Sequence, residues 1–255
     1  MENKSYILLE EYRGAECVPC SYEKFKEITS SSNVAQKISA FRTGMEQAAA
    51  FEASQQSDRA KEAKQKAYIN KQTLPGFLFQ AYDMDENVYE NKKKGIKKVG
   101  KYRKQGCAHC NGLAMIDIDH VDDPRAMFKD IYEKHRALFN NGNIVLVFIT
   151  PSGHGLKIVF TCDPEVGNLI DNQMCMGRLL GVEIDESCKD ASRLSFAPKY
   201  EDVLFEDNGL FCFYNEEFDK KYTPLYNEGK SQPSLFPNGE ASAASGKSQS
   251  RQKSE

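Results

Sequence analysis

Two aspartates separated by one residue end one of the most apolar segments of the sequence. Residues 113–119 read LAMIDID, which is typical of a buried strand. Because alternate residues of a strand share a face, we expect Asp117 and Asp119 to project together while Ile118 points into the core. Two carboxylates held this close repel each other, and a divalent cation such as Mg²⁺ or Mn²⁺ removes the repulsion. The pair therefore predicts a metal site; the alternative is a strand that runs into an acidic surface loop.

A glycine-rich turn separates two further apolar segments. Residues 151–157 read PSGHGLK, and its two glycines allow a tight turn whose backbone N–H groups are available to a phosphate. Ser152 adds a hydroxyl group, and His154 and Lys157 add donors or positive charge. The turn is a candidate phosphate site; the alternative is an ordinary β-hairpin, which needs glycine in any case.

A polar segment at residues 183–193 supplies a third set of candidate residues. Asp185 follows a short apolar stretch and is a candidate third carboxylate of the metal site. Arg193 begins the next apolar stretch, and its planar guanidinium suits a nucleotide phosphate. Asp190 is a further candidate for nucleotide binding, with a local ion pair between Asp190 and Arg193 as the alternative.

A basic segment without any acidic residue, 92–104, precedes the acid pair. We expect it to contact the backbone phosphates of a nucleic acid, and the alternative is a solvated surface loop. Its basic residues are Lys92, Lys93, Lys94, Lys97, Lys98, Lys101, Arg103 and Lys104.

Four of the eight cysteines form two Cys-x-x-Cys pairs, Cys17 with Cys20 and Cys107 with Cys110. Each pair has the ligand spacing of a structural Zn²⁺ site, but the gap between the pairs exceeds the usual zinc-ribbon distance. The alternative is that these thiols are buried as small hydrophobic groups.

The elements that must position these residues are predicted in the order β-α-β-β-α-β, which is typical of a ferredoxin-like or RRM-like core in the α/β (α+β) class. Pro124 suits the first position of a helix capped by Asp122 or Asp123. The predicted strands are residues 113–119, 144–149, 156–160 and 193–196, and the predicted helices are residues 124–138 and 164–180. This core, residues 106–226, would also contain short apolar pieces at 203–205 and 210–214 that are candidates for further strands.

Residues 1–105 are predicted to form an N-terminal module that is helical over residues 34–71, with short extended segments at 6–9 and 77–79. Residues 227–255 are rich in Ser, Gly, Gln and Lys and are predicted to be a disordered tail. The net charge of −3 means that any contact with nucleic acid comes from a local basic surface. The chain has neither an apolar run of membrane-spanning length nor a signal peptide pattern, which predicts a cytoplasmic protein without membrane contact.

In their order along the chain, the motifs resemble those of the archaeo-eukaryotic primase superfamily. The resemblance is closest to the VirE N-terminal domain family, a primase–polymerase-like group of bacterial mobile elements. It rests on I-D-I-D, P-S-G-x-G-L-K and D-x-S-R, together with Lys71-Gln72-Thr73-Leu74-Pro75 upstream. One residue departs from the superfamily pattern, because its second motif usually ends in His where this chain has Lys157. Lysine holds a phosphate as a point charge but does not titrate near neutral pH as imidazole does.

The resemblance implies a metal-dependent primase- or polymerase-like nucleotidyltransferase acting on DNA, associated with a mobile element or plasmid-type replication. Asp117, Asp119 and Asp185 would hold Mg²⁺ or Mn²⁺, and Ser152, His154, Lys157, Asp190 and Arg193 would bind the nucleotide. The implied partners are nucleoside triphosphates, single-stranded or primed DNA and, because the chain has no P-loop, a separate helicase.

Other functions fit the same motifs. The main alternative is a catalytically weak or inactive component of a replication complex that keeps the fold and binds nucleic acid. A metal-dependent nuclease and a D-x-D glycosyltransferase agree less well with the order of the motifs.

Overall fold

The computed structural model describes residues 5–92, 95–184 and 190–227. Within these ranges the chain is a mixed α+β protein whose strands pair in an antiparallel manner. The helices are α1 (Tyr22–Thr29), α2 (Ser32–Ala53), α3 (Ser57–Gln72), α4 (Pro124–Lys134), α5 (Arg136–Asn140), α6 (Leu169–Leu180) and α7 (Glu216–Asn227). The strands are β1 (Leu8–Glu10), β2 (Val18–Pro19), β3 (Gly76–Leu78), β4 (Ala81–Met84), β5 (Asn87–Asn91), β6 (Ile96–Gly100), β7 (Ala108–Cys110), β8 (Leu113–Asp119), β9 (Ile144–Ile149), β10 (Gly155–Thr161), β11 (Ser195–Phe196) and β12 (Val203–Glu206).

The main sheet has the strand order β12-β9-β10-β8. The predicted strands at 113–119, 144–149 and 156–160 are confirmed as β8, β9 and β10, and the apolar piece at 203–205 is confirmed as part of β12. The prediction that residues 193–196 form the fourth strand of this sheet is wrong. β11 pairs with β3 in a second sheet, of order β11-β3-β1-β2, and β12 takes the fourth place beside β9.

Two glutamine side chains close the outer edge of β8. The backbone N–H of Met115 donates to Oε1 of Gln80 at 2.9 Å, and Nε2 of Gln173 donates to the Met115 carbonyl at 3.0 Å. Gln173 also donates to Gln80 at 3.0 Å, and both side chains are buried. Buried backbone groups must find partners, and here side chains supply the partners that a neighbouring strand would otherwise provide.

The main sheet separates two hydrophobic clusters. Ile116 and Ile118 of β8 belong to the cluster that includes α6, whereas Leu113 and Met115 belong to the cluster that includes Phe25 of α1. This alternation confirms that Ile118 faces a core. Asp117 and Asp119 follow Leu113 and Met115 at the period of two residues, so they continue the other face of the strand beyond its apolar part.

The N-terminal part is helical only over part of its length. The predicted helical region 34–71 is two helices, α2 and α3, which pack so closely at Gly44 that an added Cβ would lie 2.8 Å from the Cβ of Ala67. Six strands, β1–β6, also lie in residues 1–105, and the β11-β3-β1-β2 sheet contains strands from both sides of the predicted boundary at residue 105.

Capping residues fix where the core helices begin. α4 begins at Pro124 as predicted, because the Asp123 side chain accepts from the backbone N–H groups of Arg125 and Ala126. α6 begins at Leu169 rather than at residue 164, since Asn168 and Asp171 form a capping box there. Residues 208–212 form a 3₁₀ helix instead of a strand.

The C-terminal helix α7 was not predicted, and it ends at Asn227. The disordered tail was predicted to begin at residue 227, which is the last residue of α7, and residues 228–255 lie outside the described residues. No helix in the described ranges combines the length and the apolar composition of a membrane span.

Candidate functional site

A cavity of about 310 Å³ brings together three of the motifs that the sequence singles out. The acid pair comes from β8, Lys157 from the neighbouring β10 and Arg193 from the segment before β11. The lining residues are Lys71, Arg103, Asp117, Asp119, Phe148, Thr150, Pro151, Ser152, Lys157, Arg193, Leu194, Ser195 and Phe196. Residues separated by more than a hundred positions in the sequence therefore meet at one site.

Asp117 is buried, with 8% of its surface exposed. It lies directly opposite Lys157 in the β8–β10 register, and its Oδ2 is 2.8 Å from Nζ of Lys157. Its other oxygen, Oδ1, is buried without a hydrogen-bond partner among the described residues. Leaving such a polar atom unpaired costs about 1–3 kcal/mol. A carboxylate oxygen of this kind in the wall of a cavity points to a ligand.

Asp119 is the last residue of β8, and it is exposed to solvent at the cavity. Its partner across the strands is Gly155. An added Cβ at Gly155 would lie 2.9 Å from the Ile118 carbonyl oxygen and 3.4 Å from Oδ1 of Asp119. Glycine at this position therefore keeps space beside the acid pair.

The turn between β9 and β10 differs from the predicted phosphate cradle. The Gly153 N–H donates to the Thr150 carbonyl at 2.9 Å, and the His154 N–H donates to Oγ of Ser152 at 3.3 Å. These two N–H groups are thus used inside the turn. Ser152 lines the cavity, but the exposed His154 does not.

An ion pair between half-buried Arg42 and buried Asp202 holds the same turn from outside. Arg42 of α2 donates to the carbonyl oxygens of Pro151 and Thr150 at 3.1 and 3.2 Å. Its guanidinium also pairs with Asp202 at 2.6 Å, and Asp202 is only 3% exposed. Gly153 has a φ of +82°, in the region that favours glycine. The turn that carries Ser152 is therefore fixed by contacts on both sides.

Lys71, near the end of α3, is a site residue to which sequence reasoning gave no role. Burial lowers its pKa, the Asp117 and Asp119 carboxylates act in the opposite direction, and the neighbouring Lys157 and Arg193 charges lower it further. The sequence contained a signal, since Lys71 begins the upstream Lys-Gln-Thr-Leu-Pro segment. Lys71 is thus one of four cationic side chains around the cavity.

Ser195 of β11 was also missed, because the sequence gave it only a place in a strand. Ser195 is 1% exposed, and its Oγ has no hydrogen-bond partner in the described part of the chain. It lines the same cavity as Asp117. The wall of the cavity therefore includes two residues with a buried polar atom that has no hydrogen-bond partner among the described residues.

Arg103 joins the cavity to the predicted basic segment. Its Nε is 2.9 Å from Oε2 of Glu10, which is 5% exposed. Part of the segment is a strand rather than a loop, since Ile96–Gly100 form β6, which pairs with β5 in a hairpin. Within it Lys101 pairs with Asp83 at 2.8 Å. Lys92, Lys97, Lys98 and Lys104 are exposed, and the predicted contacts of Lys93 and Lys94 lie outside the described residues.

Asp190, one of the two aspartates predicted near Arg193, does not line the cavity. Asp190 accepts hydrogen bonds from the N–H and Oγ of Ser192, at 2.9 and 2.8 Å, so its carboxylate shapes the turn that leads to Arg193. The predicted third carboxylate, Asp185, lies outside the described residues.

The cysteine pairs do not form a metal cluster in the described residues, where no group of three or more His, Cys, Asp or Glu side chains is arranged to hold a metal ion. Cys17 and Cys110 belong to one hydrophobic cluster and Cys20 to the other. Burial raises the pKa of the Cys17, Cys20 and Cys110 thiols to about 12, which favours neutral thiols over the thiolates that Zn²⁺ binds. Cys107 is only partly buried. The predicted Zn²⁺ site stays a prediction.

Comparison with known proteins gives one match. The model of the family described as BT4734-like, N-terminal domain, matches residues 95–205, a stretch that contains the acid pair, the β9–β10 turn and Arg193. Neither the curated proteins nor the solved structures contain a match. The chain is therefore similar to this family over less than half of its length.

This match corrects the predicted family. The VirE N-terminal domain family and the archaeo-eukaryotic primase superfamily were inferred from motifs of four to seven residues, and the family that matches is the BT4734-like N-terminal domain instead. Short motifs of this kind reflect the local chemistry of acids, glycines and cations, which unrelated families also use. The association with mobile elements rested on the same resemblance and stays an untested expectation.

Proposed function

We propose that this protein is a metal-dependent nucleotidyltransferase that transfers a nucleotide from a nucleoside triphosphate to DNA. The observation that carries the proposal is the buried Asp117, with one oxygen unpaired, beside Asp119 in a cavity that four cationic side chains surround. The ferredoxin-like interpretation of the core is part of the proposal: the order of β8, β10 and β9 in the sheet supports it, whereas β12 departs from it by lying beside β9 instead of β8.

The two carboxylates fit a Mg²⁺ or Mn²⁺ ion. Mg²⁺ is usually held by one or two carboxylates together with substrate phosphates and waters. Asp119 and the unpaired Oδ1 of Asp117 supply oxygen ligands of that kind, and the second oxygen of Asp117 is held by Lys157. When bound, such an ion neutralises phosphate charge and activates the attacking hydroxyl group. Asp185 remains the candidate third carboxylate.

The cations would bind and orient the triphosphate. Lys71, Arg103, Lys157 and Arg193 outnumber the two carboxylates of the cavity, so its lining favours an anion. Arg193 offers a planar fork for two phosphate oxygens, whereas the lysines act as point charges. Lys157 and Arg103 are already held by ion pairs with Asp117 and Glu10, and cations that are positioned before the substrate arrives stabilise developing charge most effectively.

Two hydroxyl groups add directional contacts. Ser195 Oγ has no partner among the described residues, and Ser152 Oγ accepts from the His154 N–H and lies 2.9 Å from Oγ1 of Thr150. Each would donate a hydrogen bond to a phosphate oxygen. The gain is largest for Ser195, because its hydroxyl group is otherwise buried unpaired.

The β5–β6 hairpin would hold the backbone of single-stranded or primed DNA. Its exposed lysines, Lys92, Lys97 and Lys98, form a local basic surface on a chain whose net charge is negative. Contacts with phosphates fix the position of a nucleic acid without reading its sequence. Arg103, which follows the hairpin and lines the cavity, would connect the two sites.

A second candidate function is a nucleic-acid-binding component without catalytic activity. The ion pair between Lys157 and Asp117 favours it, because one oxygen of the candidate metal ligand is already occupied by a cation. The two functions share the cavity and differ in whether a metal ion binds there.

The deciding experiment measures Mg²⁺- or Mn²⁺-dependent incorporation of labelled nucleotide on a primed single-stranded template. We expect incorporation by the wild type and none by Asp117→Ala combined with Asp119→Ala. The matched control is Asp122→Ala with Asp130→Ala, which removes two exposed carboxylates that do not line the cavity. Equal behaviour of the wild type and the acid-pair variant, with DNA binding retained by both, would favour the binding component.

A further inference from the structure

A second cavity, of about 320 Å³, adjoins the first. The two share part of their walls, since Lys71, Arg103, Leu194 and Phe196 line both. The second cavity is completed by Glu10, Arg13, Tyr68, Gln72 and Leu74, and it contains neither Asp117 nor Asp119. A molecule that fills both cavities would therefore have two chemically different halves.

The walls of this second cavity are aromatic and apolar. Tyr68 of α3 is 43% exposed, and its ring packs against Phe41 at a centroid distance of 5.6 Å. Phe196, Leu74 and Leu194 supply the other apolar surfaces. An aromatic side chain that is held by a neighbour yet still exposed is suited to stacking on a planar ring.

The polar groups of the second cavity do not make it acidic. Glu10 is buried, and both of its oxygens are used, one by Arg103 at 2.9 Å and the other by the Gly14 N–H at 2.7 Å. Arg13 and Gln72 are exposed at the cavity and offer donors and one amide acceptor. This set offers both donors and an acceptor, as the polar edge of a nucleobase requires, whereas a phosphate group would use the donors alone.

We propose that the second cavity binds the base of the nucleoside triphosphate whose phosphates occupy the first cavity, with Tyr68 stacking on that base. Lys71 and Arg103, which line both cavities, would contact the phosphate nearest the sugar. The inference rests on the proposed function, because it takes the phosphate site as given. It adds a residue that distinguishes a nucleotide from a bare polyphosphate.

The test is a calorimetric titration of the full chain with two ligands in the presence of Mg²⁺: a non-hydrolysable nucleoside triphosphate and inorganic tripolyphosphate. We expect the wild type to bind the nucleotide more tightly. Loss of one stacking contact weakens binding by about tenfold, so Tyr68→Ala should weaken nucleotide binding by about that factor and leave tripolyphosphate binding unchanged. Tyr68→Phe keeps the ring and should behave as the wild type.

The matched control is Ile69→Ala, which truncates the next residue of α3, 57% exposed and absent from the cavity wall. Thermal unfolding of each variant shows whether the α2–α3 packing is intact. Equal wild-type affinity for both ligands, or an equal loss for both ligands in Tyr68→Ala, overturns the base-binding inference alone. Absence of binding of either ligand overturns the proposed function as well. If Tyr68→Ala weakens the binding of DNA and leaves nucleotide binding unchanged, the second cavity is assigned to a DNA end instead.

Discussion

The buried ion pair between Asp117 and Lys157 can be tested by a double-mutant cycle. The two side chains are 11% and 6% exposed, and their charged atoms are 2.8 Å apart. Removing one partner of such a pair leaves the other charge buried without compensation, which costs about 3–5 kcal/mol of the free energy of unfolding. Replacing both partners by apolar side chains of similar volume is often close to neutral.

The variants are Asp117→Leu, Lys157→Met and their combination. We expect each single variant to lose about 3–5 kcal/mol and the double variant to lose much less than the sum of the two. The assay is urea unfolding followed by circular dichroism, with the midpoint and the slope fitted together so that a change in stability is separated from a change in compactness.

An additive result would refute the reasoning. Independent sites add to within about 0.5 kcal/mol, so single losses that simply sum would mean that the two charges do not depend on each other. A near-native stability of the double variant, together with loss of nucleotide binding, would indicate that the pair serves the site rather than the fold.

Three further predictions concern the surroundings of the site. Gln80→Leu leaves the Met115 N–H unpaired at the edge of β8 and should cost about 1–3 kcal/mol by thermal unfolding, while Gln65→Leu on the exposed face of α3 should be nearly neutral. In native protein at pH 8, a thiol reagent should modify the exposed Cys175 rapidly and the buried Cys20 slowly. Burial raises the pKa of Cys20 from 9.0 to about 12, so its contribution to stability is complete below pH 9 and falls as the pH rises from there towards 12. Equal labelling of both cysteines would contradict this, and so would a wild type whose stability relative to Cys20→Ala does not fall over that pH range. Lys97→Ala with Lys98→Ala should make the slope of log binding constant against log salt concentration, measured for single-stranded DNA, less steep by about 1.4, since each lost phosphate contact removes about 0.7. An unchanged slope would show that the hairpin does not contact DNA.

Local sequence pattern was sufficient to predict the strands that carry the acids. Residues 113–119, 144–149 and 156–160 are apolar, compact and bounded by turn signals, and each is a strand of the main sheet. Local pattern does not predict the pairing partner of a short strand, because that partner depends on contacts with residues far along the chain. β11 is two residues long, and the place beside β8 is taken by Gln80 and Gln173, whose amides have no recognisable pattern in the sequence.

The same distinction applies to the site. Asp117, Asp119, Lys157 and Arg193 were predicted from their types and spacing, and they line one cavity. Lys71 belongs to a helix with several other lysines, and only its place in the wall of the cavity, with Asp117 of β8 and Phe196 of β11, distinguishes it from them. Ser195 looked like an ordinary strand residue, and what marks it is that its Oγ lacks a partner among the described residues, which no sequence pattern expresses.

Asp190, the second predicted acid of the polar segment, has a local role that its position in the sequence did not indicate. Its carboxylate bonds to Ser192 within the same turn, a local use that aspartate favours wherever a turn offers a nearby N–H group. Sequence spacing alone did not separate this structural role from contact with a nucleotide.

The central claim is that the acid pair holds a divalent ion together with a triphosphate. Its most direct test is an electron paramagnetic resonance titration of Mn²⁺ into the wild type and into Asp117→Asn combined with Asp119→Asn, each with and without a non-hydrolysable nucleoside triphosphate. We expect protein and nucleotide together to bind Mn²⁺ more tightly than nucleotide alone, and we expect the variant to lose this gain while remaining folded. An equal Mn²⁺ affinity of the wild type and the folded variant would contradict it.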